Sequence, residues 1–78
     1  MKCIRIWHDN KFFHVSCPVS RATKVVKAMY DIATCFMFIE EAKTSDPLVH
    51  KLVFDIPTGT SAKELELIDG ILDYLIKE

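Results

Sequence analysis

Phe54-Asp55-Ile56-Pro57-Thr58-Gly59-Thr60-Ser61-Ala62-Lys63-Glu64, residues 54–64, compresses a strand end, a turn and a helix start into one run. Phe54 and Ile56 alternate with a polar residue, as on a half-buried strand. Pro57 and Gly59 stop the strand and turn the chain. Ser61 and Glu64 stand at capping-box spacing: hydroxyl and carboxylate can satisfy each other's free backbone N–H groups at a helix start. An earlier stretch has the same pattern. Val15-Ser16-Cys17-Pro18 leads into Ser20-Arg21-Ala22-Thr23-Lys24. The echo lies in pattern, with little residue identity. Read outward from these junctions, residues 3–33 give strand, strand, helix, and residues 35–76 give the same order again. Two such halves, about 2–33 and 34–77, predict one sheet with both helices on one face.

The first half sets a register. Lys2–His8 alternates, Asp9-Asn10 suits a two-residue turn because both residue types tolerate positive φ, and Lys11–Cys17 alternates again. That turn sets Trp7 opposite Phe12, Arg5 opposite His14 and Cys3 opposite Ser16. On the other face Ile6 meets Phe13 and Ile4 meets Val15. The second face is wholly apolar and is expected to meet the helices; a one-residue slip would mix the two faces. Ser20 is the expected cap of the first helix. Ala22, Val25, Val26, Met29, Ile32 and Ala33 form its apolar stripe, with Arg21, Lys24 and Lys27 outside and an end near Ala33.

In the second half, Thr34–Glu40 is β-branched and aromatic and is read as a strand, with a continued helix as the alternative. Glu41–Leu48 is the longest loop. His50–Ile56 is the fourth strand, with Leu52, Phe54 and Ile56 inward and Lys51, Val53 and Asp55 outward. The second helix carries Leu65, Ile68, Leu72 and Leu75 as its stripe, with Ile71 and Ile76 beside them. Glu66, Asp69 and Asp73 are expected on an acidic outer face. Gly70 costs this helix about 1 kcal/mol relative to alanine, and close helix packing is the expected reason for it.

With 78 residues the chain is one domain of marginal core size, a scale at which oligomerisation often supplies missing burial. Half of its residues are hydrophobic, which is enough for a core. Met1-Lys2 runs straight into a strand, so no secretory leader is expected, and no apolar stretch approaches the roughly 20 residues of a membrane span. Three cysteines, an odd count, argue against a disulfide framework and for a reducing, cytoplasmic setting. The net charge of −1 is unevenly spread: residues 1–39 carry six basic groups and two acids, residues 40–78 four basic groups and nine acids. The halves can attract each other within one fold or between copies. A phosphate-binding surface fits less well, since such domains are usually basic overall.

The candidate site is the sheet face left bare by the helices. It carries Arg5, Trp7, Phe12, His14 and Val53, with either Met37 or the Phe36–Phe38 pair. Aromatics beside Arg and His fit a protein interface, where these residue types are enriched, or a platform that stacks a nucleotide base. Cys17-Pro18-Val19-Ser20, between a strand and a helix, is superficially similar to the Cys-x-x-Ser sites of monothiol glutaredoxins, which implies a thiolate held at a helix start. The cysteine follows a hairpin, however, and the chain has no counterpart of that family's second-site Thr-x-Pro, so a buried, inert cysteine is the adopted reading. Cys3, His14 and Cys35 are the residues that facing strands could gather around a metal, but no pair has ligand spacing, so no metal or cofactor is expected. Carboxylate pairs such as Glu40-Glu41 and Glu64-Glu66 read as solvated surface. With only two glycines there is no phosphate-cradling loop, and nothing places Ser, His and Asp together as a catalytic group.

The expectation is therefore an α+β two-layer sandwich, ββαββα, a four-stranded antiparallel sheet with two helices on one face, possible to describe as a circularly permuted ferredoxin-like arrangement. Architecture does not imply function. The expected function is non-enzymatic: a small, complete protein that works by stoichiometric protein–protein association, as phage- or plasmid-encoded inhibitors do, and that self-associates through the open sheet face. Arg5, Trp7, Phe12 and His14 are the expected anchors, with the acidic helix face (Glu66, Asp69, Asp73) as a second contact. The alternative is a nucleotide or small-ligand sponge, or a nucleic-acid-binding module, on the same face.

Overall fold

The computed structural model describes residues 5–76. The elements run β1 (Arg5–His8), β2 (Phe12–Pro18), a single 3-10 turn (Val19–Arg21), α1 (Ala22–Ile32), β3 (Met37–Lys43), β4 (Val49–Asp55) and α2 (Ala62–Ile76). Among the described residues the strands form one antiparallel sheet in the order β1-β2-β4-β3. Both halves are a hairpin followed by a helix, and the inner strands β2 and β4 join them. β2 and β3 each run antiparallel to β4, so β2-α1-β3 is a split βαβ unit with β4 between its strands. The α+β two-layer architecture is as expected.

The core lies between the sheet and the helices. Phe13, Val15 and Cys17 of β2 and Leu52 and Phe54 of β4 meet Val25 and Met29 of α1 and Leu65 and Leu72 of α2. Most of these are completely buried, and each aliphatic or aromatic side chain so buried contributes about 1.5–3 kcal/mol. The inward set of β4 is as expected. Val26 and Ile32 of α1 are half-buried.

Four local expectations are corrected. First, the β1–β2 register is shifted by two residues: Trp7 faces His14, Arg5 faces Ser16, Ile6 faces Val15 and His8 faces Phe13. The loop residues are Asn10 and Lys11, with the Asp9 N–H donating to the Phe12 carbonyl at 3.1 Å. Asp9 Oδ1 accepts from the backbone N–H groups of Lys11 and Phe12, both at 2.8 Å. Among the described residues only Gly59 has positive φ, so the turn is built by side-chain capping and not by left-handed residues. A shift of two preserves the facing of every side chain, which is why alternation alone could not detect it. Cys3 and Ile4, and the side chains of Leu75 and Ile76, lie outside the described part.

Second, β3 begins at Met37 and extends to Lys43, three residues later than the expected strand. The Phe36 N–H donates to the Ala33 carbonyl at 3.0 Å, which makes 33–36 a turn and drops Phe36 into the core at 4 % exposure. A bulge at Ile39 interrupts the pairing with β4. The loop before β4 is correspondingly shorter; Thr44 Oγ1 donates to the carbonyls of Asp46 and Val49 and holds it closed.

Third, Ser20 does not cap α1. It sits inside the 3-10 turn, and Arg21 stands at the cap position with no side-chain hydrogen bond to the helix. α2, by contrast, has its capping box: Glu64 N–H donates to Ser61 Oγ at 3.1 Å, and Glu64 Oε1 accepts from the Ser61 hydroxyl at 3.2 Å and from its N–H at 3.4 Å. Fourth, Gly70 has nothing within 4 Å of where a Cβ would stand, so close packing is not its reason.

Candidate functional site

Strand alternation and the observed register lay out on the open face three rows that cross β1, β2, β4 and β3, with the Pro18–Val49 pair continuing the two inner strands beyond them. The top row is Asp9, Phe12, Asp55 and Met37; the middle row is Trp7, His14, Val53 and Glu40; the bottom row is Arg5, Ser16, Lys51 and Ala42. Asp9 belongs to the top row through its turn pairing with Phe12. Of the open-face alternatives for β3, Met37 is the residue present; Phe36 and Phe38 both turn to the core side.

The centre of the face is a ring stack. The Trp7 and His14 rings lie 3.6 Å apart and nearly parallel, at 12°. Phe12 meets His14 edge-on at 6.3 Å. The Arg5 guanidinium stands over the Trp7 ring, 5.2 Å from its centroid. Residues two apart on one strand share a face, which puts Arg5 beside Trp7. Direct cross-strand neighbours bring Trp7 onto His14, an arrangement worth about 0.2–1 kcal/mol.

The four expected anchors therefore meet in one cluster, but not with equal access. Arg5 is exposed, Trp7 and Phe12 are half-buried, and His14 is 7 % exposed beneath them. His14 thus supports the face from beneath Trp7 and Phe12. Among the described residues neither of its ring nitrogens has a hydrogen-bond partner. Asp9 Oδ2 lies 3.8 Å from the His14 Nε2. Burial holds the His14 pKa below the usual histidine value, the Lys51 charge adds to this, and Asp9 opposes it. The neutral ring is the form that suits the stack. The Asp9 carboxyl is held below the usual range, mainly by the N–H groups of Phe12 and then Lys11.

Sequence reading missed two features. Lys51, Asp9 and Asp55 belong to the face as much as the aromatics do; their outward positions were legible, but the β2–β4 register that sets the rows was not. The outer side of α2 is also apolar. Leu67, Ile71 and Tyr74 are exposed there, at helical spacing, and Asp69 and Asp73 are half-buried. Of the expected acidic outer face, only Glu66 is exposed. Burial raises the Asp69 pKa above the usual carboxylate value, partly offset by the charge of His8 on β1.

The other candidates do not assemble. Cys17 is completely buried on the core side, and the 3-10 turn separates it from the start of α1, so the helix does not present its thiol to solvent. Cys35 is exposed in the α1–β3 turn, away from His14, and among the described residues no three His, Cys, Asp or Glu side chains stand together as metal ligands. A cleft of about 690 Å³ lies at the hairpin tip, where Asp9, Lys11 and Asp55 face Thr58 and Thr60, but the Asp9 carboxylate is already engaged by the turn. Among the described residues no helix is long and apolar enough to cross a membrane. Comparison with protein-family models, curated proteins and solved structures gives no match. The functional argument rests on the chain's own surface chemistry.

Proposed function

We propose that this protein acts without catalysis, by stoichiometric protein–protein association through the open sheet face, and that it self-associates there. One observation carries the reading: an aromatic cluster at the centre of the open face, bordered by charges of both signs at Arg5, Lys51, Asp9 and Asp55. Aromatic and Arg anchors surrounded by a polar rim are the composition of protein interfaces. A cytoplasmic inhibitor of the kind phages and plasmids encode is the class of protein that this mode of action fits.

The nucleotide or nucleic-acid reading draws less support. A base needs a free aromatic face to stack on, and the Trp7 ring already has His14 at 3.6 Å and Arg5 over it. Light scattering across a concentration series, on the wild type and Trp7→Ala, tests the proposal. A wild-type mass that rises toward twice the monomer, with a folded Trp7→Ala protein that stays monomeric, supports the open face as the contact. Equal masses for the two proteins at every concentration would remove Trp7 and its face from the reading.

A further inference from the structure

The open face is bipolar along its strands. Its bottom row holds two cations, Arg5 and Lys51, and no acid; its top row holds two acids, Asp9 and Asp55, and no cation. Between them lies the Trp7–His14 stack with Val53. A face of this kind is the complement of itself, provided that it is turned end for end.

Two sheets packed face to face by a two-fold axis have two simple choices for that axis. An axis parallel to the strands lays each row over the same row of the other copy, which brings four acids to one end and four cations to the other. An axis across the strands reverses the rows and keeps each strand over its own counterpart. Arg5 then meets Asp9 of the second copy, Lys51 meets Asp55, Phe12 meets Ser16, and Met37 meets Ala42. In the top and bottom rows each column sets opposite charges together or a large side chain over a small one. The middle row meets itself: Trp7, His14, Val53 and Glu40 each lie over their own counterparts. Glu40 is the like-charged contact among these, but it lies at the rim on edge strand β3, where solvent screens it.

We infer that the occupant of the open face is a second copy of this chain, seated with its strands reversed about a two-fold axis perpendicular to them, with Lys51 of each copy on Asp55 of the other. The inference rests on the proposed self-association and adds its geometry. Packed sheets sit about 10 Å apart and their strands cross at about 30°, so inner columns stay aligned better than edge columns. Lys51 and Asp55 lie on inner strand β4 and are therefore the pair to test. Within one chain they are four residues apart on one strand, about 14 Å, so they do not pair with each other.

The test uses Lys51→Asp and Asp55→Lys, alone and mixed one to one, with mass read by light scattering and folding by circular dichroism. Alone, each variant sets like charges against each other at both contacts of its dimer, and its dissociation constant should rise at least tenfold. Mixed, both contacts become Asp on Lys, and dimers should return at the wild-type concentration. Two variants that dimerise as well as wild type, or a mixture of two folded variants that stays monomeric, would overturn the row-reversed geometry. If Trp7→Ala dissociates the protein in that same case, the open-face reading stands without this geometry. A wild type that is monomeric throughout overturns the inference and limits the face to a different protein partner. The double variant K51D/D55K guards against misfolding of one single variant: it should dimerise alone, and failure of this folded protein to do so overturns the inference too.

Discussion

The two halves of the molecule reach the same hairpin-plus-helix layout by different local means. In the first half order is concentrated in the hairpin: Asp9 caps a tight turn with two backbone hydrogen bonds, and the helix that follows has no side-chain cap. In the second half order is concentrated at the helix: Ser61 and Glu64 form a reciprocal cap, and the hairpin has a bulge at Ile39 and a longer loop. Shared topology therefore does not need shared local signals. Each half needs one strong device to fix its chain path, and packing against the common core fixes the remainder.

The largest effect that bears on this comparison is in that common core. Met29 anchors α1 and Leu72 anchors α2, and both are completely buried. Met29→Ala and Leu72→Ala should each cost about 2–5 kcal/mol, measured by denaturant unfolding. Similar losses would mean that the halves share one cooperative core; a loss confined to one of them would mean that the halves melt separately.

Next come the helix starts. Ser61→Ala should cost about 1 kcal/mol by removing the cap of α2, and Ser20→Ala should change stability by less than about half of that, since Ser20 makes no cap. Equal losses would erase the distinction between the halves. At a similar magnitude and of opposite sign, Gly70→Ala should stabilise the protein by about 1 kcal/mol, because the site is open and its φ is not positive. A loss of stability there would point to a role for Gly70 that its surroundings do not reveal.

The smallest expected effects are in pH dependence, and the halves should differ in sign. The folded-state pKa of His14 lies below its unfolded value. Its contribution is fully present above the ordinary histidine range and is lost as the pH falls from there through the depressed folded value. Asp69 behaves oppositely, because its folded pKa is raised. Its contribution is present below the ordinary aspartate value and is lost as the pH rises through the folded one. Asp69→Asn should therefore raise the melting temperature at neutral pH and leave it nearly unchanged in acid. An NMR titration of the His14 ring checks the other half; a midpoint at or above the ordinary histidine value would contradict its burial.

Much of this was legible in the sequence. Alternation sorted the core face from the open face correctly on β1, β2 and β4, since facing depends only on parity. The capping box at Ser61 and Glu64 was legible because both halves of the motif are local. Registers were not. The shift of Trp7 from Phe12 to His14 keeps parity, and the β3 start depends on a turn at 33–36 whose driving force, burial of Phe36, is a tertiary contact. That Arg5, Trp7, Phe12 and His14 share one face was legible, but the depth of His14 was not, because burial depends on which ring crosses from the next strand. The apolar outer side of α2 was hidden for a related reason. With Leu65, Ile68 and Leu72 inward, two stripes compete for the core, and the sheet decided which one it took.

The edges of the sheet bear on how the protein stays in solution. An open sheet ends in two strands with unpaired backbone groups, a template on which further chains can polymerise into fibres. Here one end is β1, and the other is β3, bent by the bulge at Ile39 and carrying Glu40, Glu41 and Lys43. A bent, charged strand such as β3 repels a new one. The β3 edge is thus guarded against endless side-by-side growth, and the broad face is the surface on which the proposed assembly would close and stop.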